Sequence, residues 1–249
     1  MTLWPEGYGR RVLDEVDSTL DEAARIAPGL GGPEWILARR QTAGRGRRGR
    51  GWADPKGNFA ATLVLCPVGD PATIALRSFV ASLALFDACV GLTGRAEGFA
   101  LKWPNDVLLN GGKLAGILLE SAGQGGTVMR LSIGIGVNLV EAPPVESVED
   151  GALRPVSLLS ETGIQVQPVE FLTHLAAAYA RYEEQFAMLG FGPIRTAWLD
   201  RAAKLGQVIT ARTGNSETTG TFETVDGGGN LVLLTPKGRV SIPAADVYF

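Results

Sequence analysis

The sequence predicts an α/β protein, in the looser α+β sense: a mixed β-sheet flanked by helices, followed by a small β-barrel. Three observations lead there. Strand-length apolar runs and helix-length periodic segments alternate as far as about residue 203. After Lys204 only short strands separated by Gly/Asn turns remain. The chain has 249 residues, 45% hydrophobic and 20% charged, which suits one large domain plus a small one. We set the expected division at residues 1–203 and 204–249.

Each element follows from local pattern. Arg11–Val16 alternates as a strand. Asp17-Ser18-Thr19 carries helix-start signals, with Ser18/Asp21 or Thr19/Glu22 at capping-box spacing, and the helix runs to about Ile26. Trp35–Arg39 and Asn58–Leu65 are apolar strands on either side of an arginine-rich loop. Pro71–Leu92 reads as one long helix opened by proline. Phe99–Trp103 is a strand stopped by Pro104. Asp106–Leu109 and Lys113–Glu120 form a hairpin about Asn110-Gly111-Gly112. Thr127–Asn138 is a further strand, residues 140–155 a loop, and helices are expected at 156–162, 168–189 and 193–203. The barrel strands are expected at 208–211, 217–225, 231–234 and 239–242.

Composition removes several function classes. A net charge of −3 argues against a general polyanion binder, so affinity for phosphate must come from local arginines. His174 is the single histidine, which excludes multi-histidine metal sites and leaves a histidine triad only if His174 itself serves. Its apolar neighbours Phe171, Leu172 and Leu175 make it one more residue of an amphipathic helix. Cys66 and Cys89 match no metal spacing and read as buried thiols in a reducing compartment. Residues 1–10 resemble no signal peptide, and Ala72–Leu92 is interrupted by Arg77 and Asp87. A cytoplasmic protein with no membrane partner is expected.

Residues 39–50 hold six arginines (Arg39, Arg40, Arg45, Arg47, Arg48, Arg50), three glycines (Gly44, Gly46, Gly49) and no acid. Glycine lets backbone approach a ligand closely, and arginine offers a rigid fork of donors for phosphate or carboxylate. Gly44-x-Gly46-x-x-Gly49 has dinucleotide-binding spacing, but that motif needs a helix to begin within it, and Gly51, Asp54 and Pro55 follow instead. A nucleic-acid tract would predict a basic chain or a flanking basic domain. A merely solvated loop explains the charge but not the glycine spacing.

Gln41-Thr42-Ala43-Gly44-Arg45-Gly46-Arg47-Arg48-Gly49-Arg50-Gly51-Trp52 resembles the signature loop of biotin–protein ligases. Lys102-Trp103-Pro104-Asn105-Asp106 and Gly112-Lys113-Leu114-Ala115-Gly116-Ile117-Leu118-Leu119-Glu120 resemble two further motifs of that family, in the same order. Asp17-Ser18-Thr19 and Gly134-Ile135-Gly136-Val137-Asn138 are weaker matches. The resemblance implies a class II synthetase-like catalytic domain with a C-terminal SH3-like barrel. It also implies an enzyme that makes biotinyl-5′-adenylate from biotin and ATP with Mg²⁺, then passes biotin to a lysine of a biotin carboxyl carrier protein.

The resemblance implies roles residue by residue. Ser18, Thr19 and Gln41 would hydrogen-bond the biotin head, whose ureido ring has one acceptor and two donors; plain helix capping by Ser18 and Thr19 is compatible with this. Gly44, Arg45, Gly46 and Arg47 would line the site, with Arg47 reaching the carboxylate or the α-phosphate. Arg48 and Arg50 would order on nucleotide binding, and Trp52 would cover the adenylate. Lys113 would supply electrostatic stabilisation between the biotin carboxylate and the α-phosphate. Asp106 and Asn138 are candidate Mg²⁺ ligands, and Asp106 is alternatively the base for the carrier lysine. Gly116 and Gly134 would keep the pocket wall thin, while Trp103 and Pro104 are structural.

Two departures from the family pattern bear on the site. Leu20 stands where many members have asparagine, and residues 140–155 lack the tryptophan many carry there, so adenine packing must differ. The sequence starts directly at the catalytic region, so no repressor activity or DNA partner is expected. Oligomeric state stays open between monomer and weak homodimer. The rivals are a lipoate–protein ligase of the same fold, whose members typically lack the Gly-Arg loop, and a nucleic-acid-binding module.

Overall fold

The computed structural model describes residues 3–53, 55–67, 69–149, 151–214 and 216–249. Asp54, one of the residues following the glycine loop, lies outside them. The larger sheet has seven strands: β1 (Gly9–Leu13), β2 (Glu34–Ala38), β3 (Phe59–Leu65), β4 (Phe99–Lys102), β5 (Asp106–Leu109), β6 (Gly112–Gln124) and β7 (Thr127–Val137). Their order is β1-β2-β3-β7-β6-β5-β4. β1 and β2 run parallel and the other neighbours are antiparallel, so the sheet is mixed as expected.

Side-chain alternation gives the sheet two unlike faces. Trp35, Leu37, Phe59, Ala61, Leu63, Ile133, Ile135 and Val137 belong to the main core. α3 (Arg77–Thr93) and α5 (Pro168–Leu189) pack on each other and on that side of the sheet. The other face sets small residues in register, Ala60 and Gly116 opposite Gly136 and Thr62 opposite Gly134, with the larger Leu118 on the far side of Gly134. The short α1 (Thr19–Ile26) lies over part of it, with Ala23 packed against Ile36 and Val64. Over the rest of that face Trp52 lies against Gly116 and Gly136, beside a cavity.

Several boundaries differ from the expectation. The first strand is Gly9–Leu13, not 11–16; beyond it Val16 forms only an isolated bridge to Gln41. Ser18 caps α1 through the Leu20 N–H, without a capping box. The helix expected at 71–92 is two, α2 (Pro71–Ala75) and α3, because the Leu76 N–H turns to the Thr73 and Ile74 carbonyls. This stretch is apolar enough to cross a membrane by composition, yet 67% of its most apolar window is buried inside the fold. Its Arg77 is held by Glu183 of α5 at 2.6 Å, and its Gly91 borders His174. Cys89 is buried, and burial pushes its thiol up to about 12, whereas Cys66 is exposed. Cys66 follows the last residue of β3, where the chain leaves the core, which corrects the reading of both as buried. The helices after residue 155 are α4 (Leu158–Thr162), α5 and α6 (Phe191–Leu199). α4 carries a capping box between Ser157 and Ser160.

The smaller sheet contains β8 (Val208–Thr213), β9 (Ser216–Val225), β10 (Leu231–Thr235), β11 (Gly238–Ile242) and β12 (Asp246–Tyr248). It is antiparallel, in the order β11-β10-β9-β8-β12, consistent with a small barrel-like unit. β12 was not foreseen, because three residues after Pro243 carry too little periodicity. Trp103, 3% exposed, ties the two sheets together through Nε1 and the Gly229 carbonyl at 3.0 Å.

Candidate active site

A cavity of about 540 Å³ opens on the small-residue face. Its first end is neutral. The start of α1 holds Ser18 and Thr19 buried, and Thr19 donates from N (2.9 Å) and Oγ1 (3.1 Å) to Gln41 Oε1. Thr62 Oγ1 in turn donates to Thr19 Oγ1 at 2.8 Å. This chain of hydrogen bonds fixes Gln41 before any ligand arrives. Gly44 makes room for it, since a Cβ there would lie 2.9 Å from Gln41 Nε2 and 3.1 Å from the Trp52 carbonyl. Leu20 rests on Gly134, where a Cβ would meet its carbons at 3.1–3.2 Å.

The floor beside it is glycine under tryptophan. A Cβ on Gly136 would come within 2.3–2.6 Å of the Trp52 indole, and one on Gly116 within 3.3 Å. Both positions require glycine for close approach, not for a left-handed backbone. Trp52 thus seats directly on the strands, and its buried Nε1 has no hydrogen-bond partner.

The far end is charged. Asp106, at the start of β5, sits 2.8 Å from Lys113 Nζ and 3.9 Å from Lys102 Nζ. The turn carrying it is pinned to β6 by reciprocal bonds, Asn105 Nδ2 to the Ile117 carbonyl (2.6 Å) and Ile117 N–H to the Asn105 carbonyl (2.9 Å). Burial pushes the Lys102 ammonium below its ordinary range, and Asp106 opposes that shift. Burial likewise lowers Arg47, which reaches Asn105 Oδ1 at 3.3 Å. Asn138 is buried; its Nδ2 donates to the Val156 carbonyl at 3.1 Å and holds the chain after residue 155 against the sheet.

The arginine loop closes this end, with a tight turn at Arg47–Gly49 where a dinucleotide motif would begin a helix. Its first arginine is committed elsewhere. Arg45 gives two bonds to Asp21 (2.7 and 2.9 Å), two to Glu120 (3.0 and 3.1 Å) and one to Ser18 Oγ at 3.3 Å. The two acids hold this guanidinium further toward its charged form. Arg48, in the left-handed region at φ 57°, pairs with Asp246 at 2.6 Å. Arg50 pairs with Glu149 at 2.7 Å and approaches Asp246 at 3.6 Å, and Arg47 lies 3.9 Å from the same carboxylate. Arg39 and Arg40 face Asp14 and Glu15 instead.

Of the residues singled out from sequence, Thr19, Leu20, Gln41, Arg45, Gly46, Arg47, Arg50, Trp52, Asp106, Lys113, Gly116, Gly134 and Asn138 line the cavity. Ser18, Gly44 and Arg48 stand behind the lining and act on it through Arg45, Gln41 and Asp246. Lys102, Glu149, Asp246 and Tyr248 also line it and carried no assigned role. Lys102 lay within a recognised motif and could have been found there. Nothing local marks Asp246 or Tyr248.

Residues 12–138 match the Biotin/lipoate A/B protein ligase family, and residues 204–249 match the Biotin protein ligase C terminal domain. The chain belongs to the biotin protein ligases. It is therefore an enzyme that joins biotin to protein, and the second match separates it from a lipoate ligase. It is 57% identical to the biotin–[acetyl-CoA-carboxylase] ligase of Paracoccus denitrificans over 96% of this chain and 99% of that one. It is 30% identical to the bifunctional ligase/repressor BirA of Bacillus subtilis, over 95% of this chain and 73% of that protein. Among solved structures, the biotin protein ligase of Aquifex aeolicus in complex with biotin and ATP superposes with a TM-score of 0.80. That pair shares 26% identity over 96% of this ligase and 97% of the other chain.

Proposed function

We propose that this ligase condenses biotin with ATP to biotinyl-5′-AMP and pyrophosphate, then transfers the biotinyl group to one lysine of a biotin carboxyl carrier domain. The observation that carries the reading is the polarity of the cavity: a neutral, pre-bonded end joined by a glycine floor to an end lined by Arg47, Lys102 and Lys113. Biotin is a molecule of that shape. Its ureido head needs a few exact hydrogen bonds, its thiophane ring and valeryl chain need apolar contact, and its carboxylate needs cations. Ser18, Thr19 and Gln41 take the head in this reading, and Leu20 and Trp52 flank the ring and chain. A lipoyl dithiolane has no N–H or carbonyl to use the first of these.

In the first half-reaction a biotin carboxylate oxygen attacks the α-phosphorus of ATP and pyrophosphate leaves. Negative charge gathers on the phosphoryl oxygens, and Arg47, Lys102 and Lys113 face it from the cavity wall. In the second, the carrier lysine's amine attacks the acyl carbon and AMP leaves. Asp106 serves chiefly as the anion that holds both ammonium groups in place and opposes the lowering of Lys102 by burial. Flanked by two lysines it is a poor magnesium ligand. Mg²⁺ would neutralise ATP's phosphates, with Asn138 as an outer contact. We assign the reaction to the cytoplasm, supported by two free thiols. The division of labour follows residues 1–203 for chemistry and 204–249 for closing the charged end.

Pyrophosphate exchange into ATP tests the reading, with biotin, with lipoate and with neither. Exchange that depends on biotin alone is expected. Absence of exchange with biotin, or an equal rate with lipoate, overturns it.

A further inference from the structure

We propose that Thr62, a side chain behind the cavity wall, is a positioning residue that fixes Thr19 as an acceptor for a ligand N–H and so selects a cyclic urea head. The inference rests on the reading of biotin as substrate given above. The Thr19 backbone N–H can only donate, so the atom of Gln41 that it meets at 2.9 Å is the amide oxygen. The Thr19 hydroxyl, 3.1 Å from the same oxygen, must then give its proton to it. Thr62 Oγ1 lies 2.8 Å from Thr19 Oγ1 and must donate in turn. A hydroxyl has one proton and two lone pairs. Thr19, which lines the cavity, has spent its proton and one lone pair, and the lone pair that remains accepts.

Ser18, the residue before it, is set the opposite way. Its Oγ accepts from the Leu20 N–H at 3.2 Å and from Arg45 Nη1 at 3.3 Å, which leaves it a proton to give. Asp21 and Glu120 hold Arg45 where it can do this. Two adjacent hydroxyls thus offer one donor and one acceptor, the pair that the carbonyl and neighbouring N–H of a cyclic urea require. Thr62 is the only polar side chain in β3, a strand buried along its whole length. It is 0% exposed, does not line the cavity, and stands opposite Gly134, on which Leu20 rests. Valine would fill the same space without burying a hydroxyl, and α1 is capped by Ser18 without help from Thr62. What the Thr62 proton does is hold the Thr19 proton on Gln41. Without it the Thr19 hydroxyl is free to turn its proton toward the cavity.

The test is the equilibrium affinity, without nucleotide, for biotin and for its two cyclic carbamate analogues, each with a ring oxygen in place of one ureido N–H. Melting temperature is followed alongside, for Thr62→Val, Thr62→Ala and Thr62→Ser. Wild-type protein is expected to bind one of the carbamates, the one whose ring oxygen meets Thr19, about tenfold or more weakly than biotin. Valine is expected to weaken biotin about tenfold and to narrow the gap to that carbamate, because the released hydroxyl can donate to a ring oxygen. Alanine gives the same result should valine crowd Thr19. Serine keeps the hydroxyl and restores both the affinity and the gap. Wild-type affinity and selectivity in valine and alanine overturn the proposal, and so does an equal loss for biotin and both carbamates, the mark of damaged packing. Failure of serine to restore the gap overturns it as well. Wild-type protein that binds no biotin overturns the substrate reading, and this inference with it.

Discussion

The two ends of the cavity are built on opposite principles. The neutral end is finished: Thr62, Thr19 and Gln41 are linked by bonds of 2.8–3.1 Å, and Ser18 and Thr19 are buried. The charged end is provisional. Its loop arginines are satisfied by carboxylates of the protein itself, Asp246 and Glu149, with Arg48 and Arg50 still 49% and 44% exposed. Exposed pairs of that kind are worth little, about 0–1 kcal/mol each, and are cheap to exchange for phosphate. A rigid end can select a small neutral head by shape and hydrogen bonding. An exchangeable end can open for ATP and close over an adenylate that water would destroy.

The largest effect belongs to the cations facing the phosphorus. Lys113→Ala and Arg47→Ala are each expected to slow adenylation by about 10²–10³-fold, the usual cost of removing one well-placed donor, with the melting temperature retained. Exchange at the wild-type rate in either variant would break the assignment of chemistry to this end.

Asp106→Asn sharpens it. Lys102 works as a cation, so activity is present below its pKa and lost as pH rises through it. Burial already depresses that pKa and Asp106 holds it up. Removing the carboxylate charge must move the alkaline limb of the adenylation rate to lower pH. A limb that stays in place would show that Asp106 acts otherwise.

At the neutral end the expected loss is smaller and of another kind. Gln41→Ala removes a neutral hydrogen-bonding group, so the biotin KM should rise by about tenfold or less. The ATP KM should not move. A fall in turnover at saturating biotin would mean the two ends are not separable.

Much of this was legible in the sequence. The apolar runs Trp35–Arg39 and Asn58–Leu65 marked β2 and β3, and Asp17-Ser18-Thr19 marked the start of α1. The glycine-interleaved arginines marked an anion site. What could not be read is tertiary pairing. Arg48 and Asp246 are 198 residues apart, and nothing in a three-residue strand after Pro243 announces an acid that meets three loop arginines. Arg45 was taken for a lining residue and does line the cavity, yet its donors are spent on Asp21 and Glu120, whose spacing in the chain carries no hint of it. Gly136 is the tighter case: only the seated Trp52 explains why it, more than Gly134, excludes a side chain.

The most direct test of two ends with two jobs is the equilibrium affinity for biotin, without nucleotide, of the Arg48→Ala/Arg50→Ala protein. The account predicts wild-type affinity, because the head is held by groups neither arginine touches, together with faster escape of biotinyl-5′-AMP once ATP is supplied. A loss of biotin affinity in the absence of ATP would contradict it.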